Sequence, residues 1–120
     1  MSGDYLMRQI EDLARFLAQV LLQRQPDTVQ IVDEEGRFSQ GGFLKYRLHK
    51  LLLEGRINEA ENLLFEEIEL QAADEYLPVA LDFYEAVNRL DDGQLEARNF
   101  TRAEIREGLE QVKKIYGTRE

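Results

Sequence analysis

Cysteine is absent from this sequence of 120 residues, and histidine occurs once, at His49. Without thiolates the chain can form neither a disulfide nor a cysteine metal site, and nothing indicates an oxidising compartment. A single imidazole also excludes a two-histidine metal site and a pair of histidines acting as acid and base. We therefore expect a cytoplasmic, non-catalytic protein without a metal or a cofactor.

A long apolar segment is also missing. The most apolar stretch, residues 13–22, includes Arg15 and Gln19 and is too short to cross a bilayer. The first residues show no basic cluster followed by an apolar core and a cleavage site, so no secretory signal is predicted. Membrane insertion is excluded on this basis, and an amphipathic first helix lying on a membrane surface remains an alternative.

Positive charge is missing from one segment, which accounts for the whole formal net charge of −9. Residues 57–88 contain no Lys, Arg or His, whereas the rest of the chain has as many carboxylates as Lys and Arg residues. Such a surface repels phosphate backbones, so nucleic acid is excluded as a partner. We expect one continuous negative surface, to which a protein partner with a basic surface binds. Its nine carboxylates are those of Glu59, Glu61, Glu66, Glu67, Glu69, Asp74, Glu75, Asp82 and Glu85.

Apolar residues at steps of three and four predict five helices. We expect a single domain over residues 1–120, with helices at about 4–24, 39–54, 58–72, 74–91 and 101–116. Residues 27–37 are expected to form a connecting loop or a helical turn, because a lone strand would leave its edges unpaired. The predicted fold is all-α, an antiparallel bundle or array of helical hairpins.

Capping residues and glycines mark the helix ends. Ser39 is predicted to cap the second helix, Asn58 the third and Thr101 the last. Gly55 supplies the left-handed residue that commonly ends a helix. Gly108 lies inside the last helix, where glycine is destabilising, so we expect the backbone of a neighbouring helix to approach it closely. The fourth helix is apolar over more than half of its circumference and is expected to lie in the middle of the bundle.

The segment 44–65, LKYRLHKLLLEGRINEAENLLF, resembles a tetratricopeptide unit. The matching positions are Gly55, Ile57 and Ala60. Leu44 departs from the pattern because it stands where that family has a large aromatic residue. The resemblance implies that Lys45 and His49 lie on a concave face that binds a partner. The alternative is that both are solvated residues on a helix surface.

Over nearly its whole length the sequence is similar to the bacterial DUF6483 family. The segments that carry this resemblance are DYLMRQIEDLARFLAQVLL, EGRINEAENLLFEEIE, ALDFYEAVNRL, NFTRAEIREGL and IYG. The resemblance implies a cytoplasmic bacterial protein, and it brings no activity or site residue with it.

Other polar constellations are interpreted as structural. The carboxylates lack the Glu-x-x-His pairs of di-metal helix bundles. Gly41-Gly42 lacks the preceding strand and the following Lys and Ser/Thr of a phosphate loop. Glu67, near the core edge of the third helix, is expected to pair with Arg47 across the hairpin.

The predicted function is protein binding or self-association by a non-catalytic helical module. In the first helix, Phe16 and Val20 project away from the main apolar stripe. Either the bundle itself encloses both faces of that helix, or these two residues meet a second copy in a two-fold dimer, which is our expectation. The alternative function is an enzyme of unknown type, which a deep polar pocket with a shifted carboxylate would indicate.

Overall fold

The structure is a computed structural model that describes residues 2–24 and 39–117. Within those residues the chain forms six α-helices and no strand. The helices are α1 (Ser2–Arg24), α2 (Gln40–Leu53), α3 (Ile57–Leu70), α4 (Tyr76–Asn88), α5 (Asp92–Ala97) and α6 (Arg102–Val112), and a π-helical turn (Lys113–Gly117) follows α6. The all-α prediction is confirmed, although the described residues contain six helices where five were predicted.

The additional helix, α5, begins at a local capping signal. The Asp91 carboxylate accepts a hydrogen bond from the Gln94 N–H at 2.7 Å, and the Gln94 side chain accepts one from the Asp91 N–H at 2.9 Å. Because this reciprocal pair starts a new helix, the predicted helix over residues 74–91 ends early, at Asn88. The short helix places Leu95 in the core.

Two of the three predicted caps are confirmed. The hydroxyls of Ser39 and Thr101 each accept a hydrogen bond from the backbone N–H three residues later, at 2.9 Å and 3.2 Å. The prediction for Asn58 is wrong, because α3 begins one residue earlier, at Ile57. The Asn58 amide instead donates a hydrogen bond to the carbonyl of Asn99 at 3.0 Å, a contact between distant parts of the chain.

Helix α4 lies in the middle of the fold, as its apolar circumference predicted, and packs against α1, α2, α3 and α6. Helix α1 packs against α4, α6 and the π-helical turn, whereas α2 packs against α3 and α4. Gly55, with a φ of 76°, lets the chain reverse direction after α2, so that α3 packs back against α2. The apolar residues spaced by three and four along α3, and along α6 with the turn after it, are buried: Ile57, Ala60, Leu64, Ile68, Ile105, Leu109, Val112 and Tyr116.

Gly108 is buried in α6, and its close neighbour is a side chain. A Cβ at this position would overlap the hydroxyl and ring of Tyr84 in α4. The expectation of a close approach is therefore confirmed, but the expectation that a backbone makes it is wrong. Only a glycine in α6 leaves enough space for the ring of Tyr84 in this closely packed core.

The predicted loop or helical turn at residues 27–37 lies outside the described residues. The first helix reaches Arg24, in agreement with its predicted end. In the ranges that the structure describes, no helix combines the length and the apolar character that crossing a membrane requires.

Candidate functional site

The outward face of α2 carries exposed aromatic, aliphatic and cationic side chains. Phe43 is 50% exposed, Tyr46 56% and Leu53 76%. Steps of three and seven residues place these three side chains on one side of the helix. Three exposed basic residues share that side: Arg47, His49 and Lys50. These six residues are called the cationic ridge below.

The ridge faces outward because the opposite face of α2 is held in the core. Leu44 and Leu48 are each 3% exposed, and Leu51 and Leu52 are partly buried. Through this face α2 packs against α3 and α4. The burial of these four leucines, rather than the ridge, therefore holds α2 in place.

The ridge is positive in a chain of negative net charge. Helix α2 contains no Asp or Glu. The Arg47 guanidinium lies 5.7 Å from the centroid of the Phe43 ring, and this cation–π contact restricts both side chains. Beside the ridge runs a groove of about 340 Å³ between α2 and the first half of α3. Its lining residues are Phe43, Tyr46, Arg47, Lys50, Leu51, Glu54, Arg56 and Leu63.

The two predicted partner-binding residues lie in different surroundings on α2. The Lys45 ammonium forms an ion pair with the Asp82 carboxylate of α4 at 3.1 Å, so it contributes to the packing of the two helices. His49 belongs to the cationic ridge and is exposed. The structure thus brings His49, but not Lys45, together with the exposed aromatic residues. Their contact with a partner stays a prediction.

Sequence reasoning missed the apolar members of the ridge. Phe43, Tyr46 and Leu53 alternate with the buried leucines along α2, and none of the three was among the predicted binding residues. The available signal was a second set of apolar residues at helical spacing on the same helix. Such a set indicates a helix with apolar character on two faces.

At least five of the nine carboxylates in the acidic segment have a partner among the described residues. The pairs are Glu59–Arg56, Glu61–Tyr84, Glu75–Gly41, Asp82–Lys45 and Glu85–Arg89. Three of these pairs join α2 or α3 to the α4 region. Three of these five partners are cations and two are neutral donors, and the expectation of one continuous negative surface stays a prediction. The predicted pair of Arg47 with Glu67 is not among the ion pairs that the described residues form, and Arg47 lies over Phe43 instead.

A larger groove, of about 850 Å³, lies where the start of α1 meets α5 and the start of α6. Its apolar lining comes mainly from Leu6 and Met7, which are partly buried, whereas Leu95 and Phe100 are each only 2% exposed. This surface is called the acidic groove below. Its rim carries the carboxylates of Asp4, Asp91, Asp92 and Glu96.

Arg102 also lines the acidic groove, but most of its side chain is withdrawn into the fold. The guanidinium donates to the carbonyls of Asn88 at 3.0 Å and Leu90 at 2.5 Å, at the end of α4. Only 18% of the side chain is exposed, and it pairs with Asp92 at 3.1 Å. The groove therefore keeps a negative rim, with the exposed carboxylates of Asp4 and Glu96.

Burial raises the pKa values of two side chains that contact each other, Glu61 and Tyr84. Burial raises the pKa of Glu61 above the ordinary 4.5, the hydrogen bond from Tyr84 opposes this, and the charges of Glu104 and Glu107 reinforce it. Burial and the Glu61 charge raise the pKa of Tyr84. Glu61 lines neither of the two grooves. The described part of the chain holds no group of three or more His, Cys, Asp or Glu side chains placed to bind a metal ion.

Of the two predicted self-association residues, Phe16 lies against the π-helical turn that follows α6. Phe16 is 36% exposed, and the Lys113 ammonium lies 4.7 Å from the centroid of its ring. A Cβ on Gly117 would lie 2.8 Å from the same ring. Val20 is partly buried against the core. Phe16 thus has partners within the chain and keeps an exposed part, and a dimer through these residues stays a prediction.

Comparison with known proteins gives a family match. A model of a family of unknown function, DUF6483, matches residues 1–117. No curated protein and no solved structure matches the chain. The tetratricopeptide-like interpretation of α2 and α3 therefore stays a prediction.

Proposed function

The chain belongs to the family of unknown function DUF6483, and from its surface we propose that it is a non-catalytic helical module that binds a protein partner through the cationic ridge. The partner's docking segment is acidic and partly apolar. The observation that carries this proposal is the exposure of Phe43, Tyr46 and Leu53 between three basic residues on one helix face.

The composition of the ridge fits protein recognition. Aromatic and arginine side chains dominate the binding energy of protein interfaces because they bury large areas at a small entropic cost. Positions separated by three, four and seven residues are those by which one helix packs on another. A partner helix with a Leu stripe and flanking Glu residues would satisfy both the apolar and the charged members of the ridge.

A protein partner is favoured over a phosphate polymer or a lipid surface. The ridge offers three basic side chains, whereas the whole chain has a formal net charge of −9. Anionic polymers and membranes sense the field of the whole molecule, which is repulsive. A short acidic segment that contacts only the ridge is attracted locally, because salt screens charges beyond about 8 Å at 0.15 M.

The proposal of a non-catalytic role rests on the contacts of Glu61 and Tyr84, the two residues whose pKa values burial raises. Glu61 accepts the Tyr84 hydroxyl at 2.5 Å between α3 and α4, and Gly108 provides the space for the ring. The packing of Glu61 against Tyr84 thus explains the raised pKa of this carboxylate without a catalytic role. A partner with a basic surface, the kind that the sequence predicted, would instead meet the rim of the acidic groove.

The test uses a designed helical peptide with a Leu stripe flanked by Glu residues, and a second peptide in which Lys replaces every Glu. We expect the intact protein to bind the Glu peptide and not the Lys peptide in a fluorescence anisotropy titration. An Arg47→Glu/Lys50→Glu variant should bind the Glu peptide at least about tenfold more weakly, because it places like charges in contact.

Two controls separate ridge contacts from general effects. Arg8→Glu/Arg15→Glu changes the net charge equally on exposed positions of α1 and should leave binding unchanged. Leu53→Ser should weaken binding, whereas Leu70→Ser, at a residue of similar exposure on α3, should not. Equal binding by the parent and the ridge variant would refute the proposal.

A further inference from the structure

The chain carries two surfaces of opposite charge. The exposed side chains of the cationic ridge project from the outer face of α2, and four of them line the smaller groove beside it. The acidic groove is concave and holds about 850 Å³ between α1, α5 and α6. We infer that the cationic ridge of one copy docks in the acidic groove of a second copy, so that the protein associates head to tail. This inference rests on the proposed function of the ridge and names its partner.

The apolar parts of the two surfaces complement each other. The apolar surface that the groove offers comes from Leu6 and Met7, which are partly buried, because Leu95 and Phe100 expose almost none of their surface. The ridge presents Tyr46 and Leu53, which are more than half exposed. Seating such side chains on this apolar surface removes their surface from water, at about 25 cal/mol per Å².

The charged parts complement each other as well. Asp4 and Glu96 are exposed on the groove rim, and Arg47 and Lys50 are exposed on the ridge. The cation within the groove, Arg102, is held by carbonyls at the end of α4 and does not compensate these carboxylates. Contacts of opposite charge around an apolar centre set the orientation of a complex and exclude like-charged partners.

The ridge and the groove are different parts of the chain, so a pair formed in this way is heterologous. One copy then keeps a vacant ridge and the other a vacant groove. Further copies can add until a ring closes, or they continue as an open chain. This differs from the two-fold dimer through Phe16 and Val20, which would close with two copies.

The test exploits the heterologous geometry. The ridge variant is Arg47→Glu/Lys50→Glu, and the groove variant is Asp4→Lys/Glu96→Lys. All four positions are exposed, and circular dichroism with thermal melts would verify that each variant is folded. Sedimentation of the full chain should show association of the parent, and each variant alone should associate at least about tenfold more weakly.

Mixing the two variants is the decisive measurement. The groove variant retains a ridge and the ridge variant retains a groove, and the reversed charges of the two variants also attract each other, so the mixture should recover the association that each variant alone lacks. The control variant Arg8→Glu/Arg15→Glu should associate like the parent. A monomeric parent, or variants that associate like the parent, would overturn the inference. A mixture that shows no pairs would overturn it as well.

These outcomes are distinct from a failure of the proposed function. If the parent is monomeric and still binds the Glu peptide through the ridge, the ridge is a binding surface for a different protein. If the Glu peptide binds equally to the parent and to the ridge variant, the proposed function is refuted, whatever the association of the parent. A two-fold dimer that Phe16→Glu abolishes would instead support the interface predicted from the sequence.

Discussion

Gly108 and Tyr84 show how one residue determines the placement of another. The absence of a Cβ in α6 lets the ring of Tyr84 approach the helix, and its hydroxyl then reaches Glu61 at 2.5 Å. Three helices meet at this contact. The glycine could be recognised from the sequence because it weakens a well-capped helix, but the identity of its neighbour depends on how α4 is oriented in the fold.

A Gly108→Ala substitution is expected to lower the free energy of unfolding by about 1 to 3 kcal/mol, because the added methyl group overlaps a buried ring. The gain in helix propensity, about 1 kcal/mol, offsets part of this loss. Urea denaturation measures the difference. Gly93→Ala is the matched control, since a Cβ there meets only the Asp91 carboxylate, at 3.5 Å. An unchanged midpoint for Gly108→Ala would show that Tyr84 can move aside at no cost.

Glu61 predicts a pH dependence of stability with a definite sign. Its pKa is higher in the folded chain than the ordinary 4.5, so the folded state binds a proton more tightly than the unfolded state does. Stability therefore falls as the pH rises above about 4.5, until Glu61 is ionised in the folded chain as well. The charge, rather than the side chain, is the destabilising element.

A Glu61→Gln variant keeps an oxygen that accepts the Tyr84 hydroxyl and removes that charge. We expect it to melt at a higher temperature than the parent at pH 7, and the difference should shrink to zero as the pH falls to about 4. Thermal melts between pH 4 and pH 7 measure this. Glu69→Gln, at an exposed position of the same helix, should show a much smaller difference. If Glu61→Gln is less stable than the parent at pH 7, the carboxylate is stabilising.

Helix boundaries illustrate which elements a sequence determines locally. Ser39 and Thr101 act within one turn of their own helix, so their caps could be predicted from neighbouring residues. The role of Asn58 could not be predicted in this way, because its side-chain amide donates a hydrogen bond to the carbonyl of Asn99, 41 residues away. The same limit applies to the cationic ridge. The periodicity of α2 shows two apolar sets, and only the packing of α3 and α4 decides which set is buried.

Helix α1 gives an element-scale prediction. Phe16 packs on Gly117 and under Lys113, so Phe16→Ala should lower the free energy of unfolding by about 1 to 3 kcal/mol, less than for a fully buried phenylalanine. Tyr5→Ala, at a residue 65% exposed on the same helix, should change it by no more than about 0.5 kcal/mol. Melts at two protein concentrations separate packing from self-association. A loss that appears only at high concentration would indicate a dimer through Phe16.

At the scale of the whole molecule, charge is distributed unevenly in a way that composition alone predicts only in part. The acidic segment over residues 57–88 was evident from the sequence. Its pairing with α2 was not, because Lys45 and Gly41 reach Asp82 and Glu75 only in the folded chain. The acidic groove combines residues from the first and last thirds of the chain. The fold class therefore followed from periodicity, whereas the candidate surfaces required the packing of the helices.

The head-to-tail association makes a prediction about salt that follows from this distribution. Two copies, each with a formal net charge of −9, repel one another over a range set by the Debye length, about 30 Å at 0.01 M salt and about 8 Å at 0.15 M. The attraction between the ridge and the groove acts at contact and is screened only at higher salt, where the Debye length falls to about 3 Å at 1 M.

We expect sedimentation equilibrium to show the weakest association of the parent at 0.01 M NaCl, the strongest near 0.15 M, and weaker association again at 1 M. The Arg8→Glu/Arg15→Glu variant has a more negative net charge and an intact ridge, so it should associate like the parent at 0.15 M, where the added charges are screened, and more weakly than the parent at 0.01 M. Association that falls steadily from 0.01 M would mean that attraction outweighs the repulsion of the whole chains at every distance, in contradiction to this prediction.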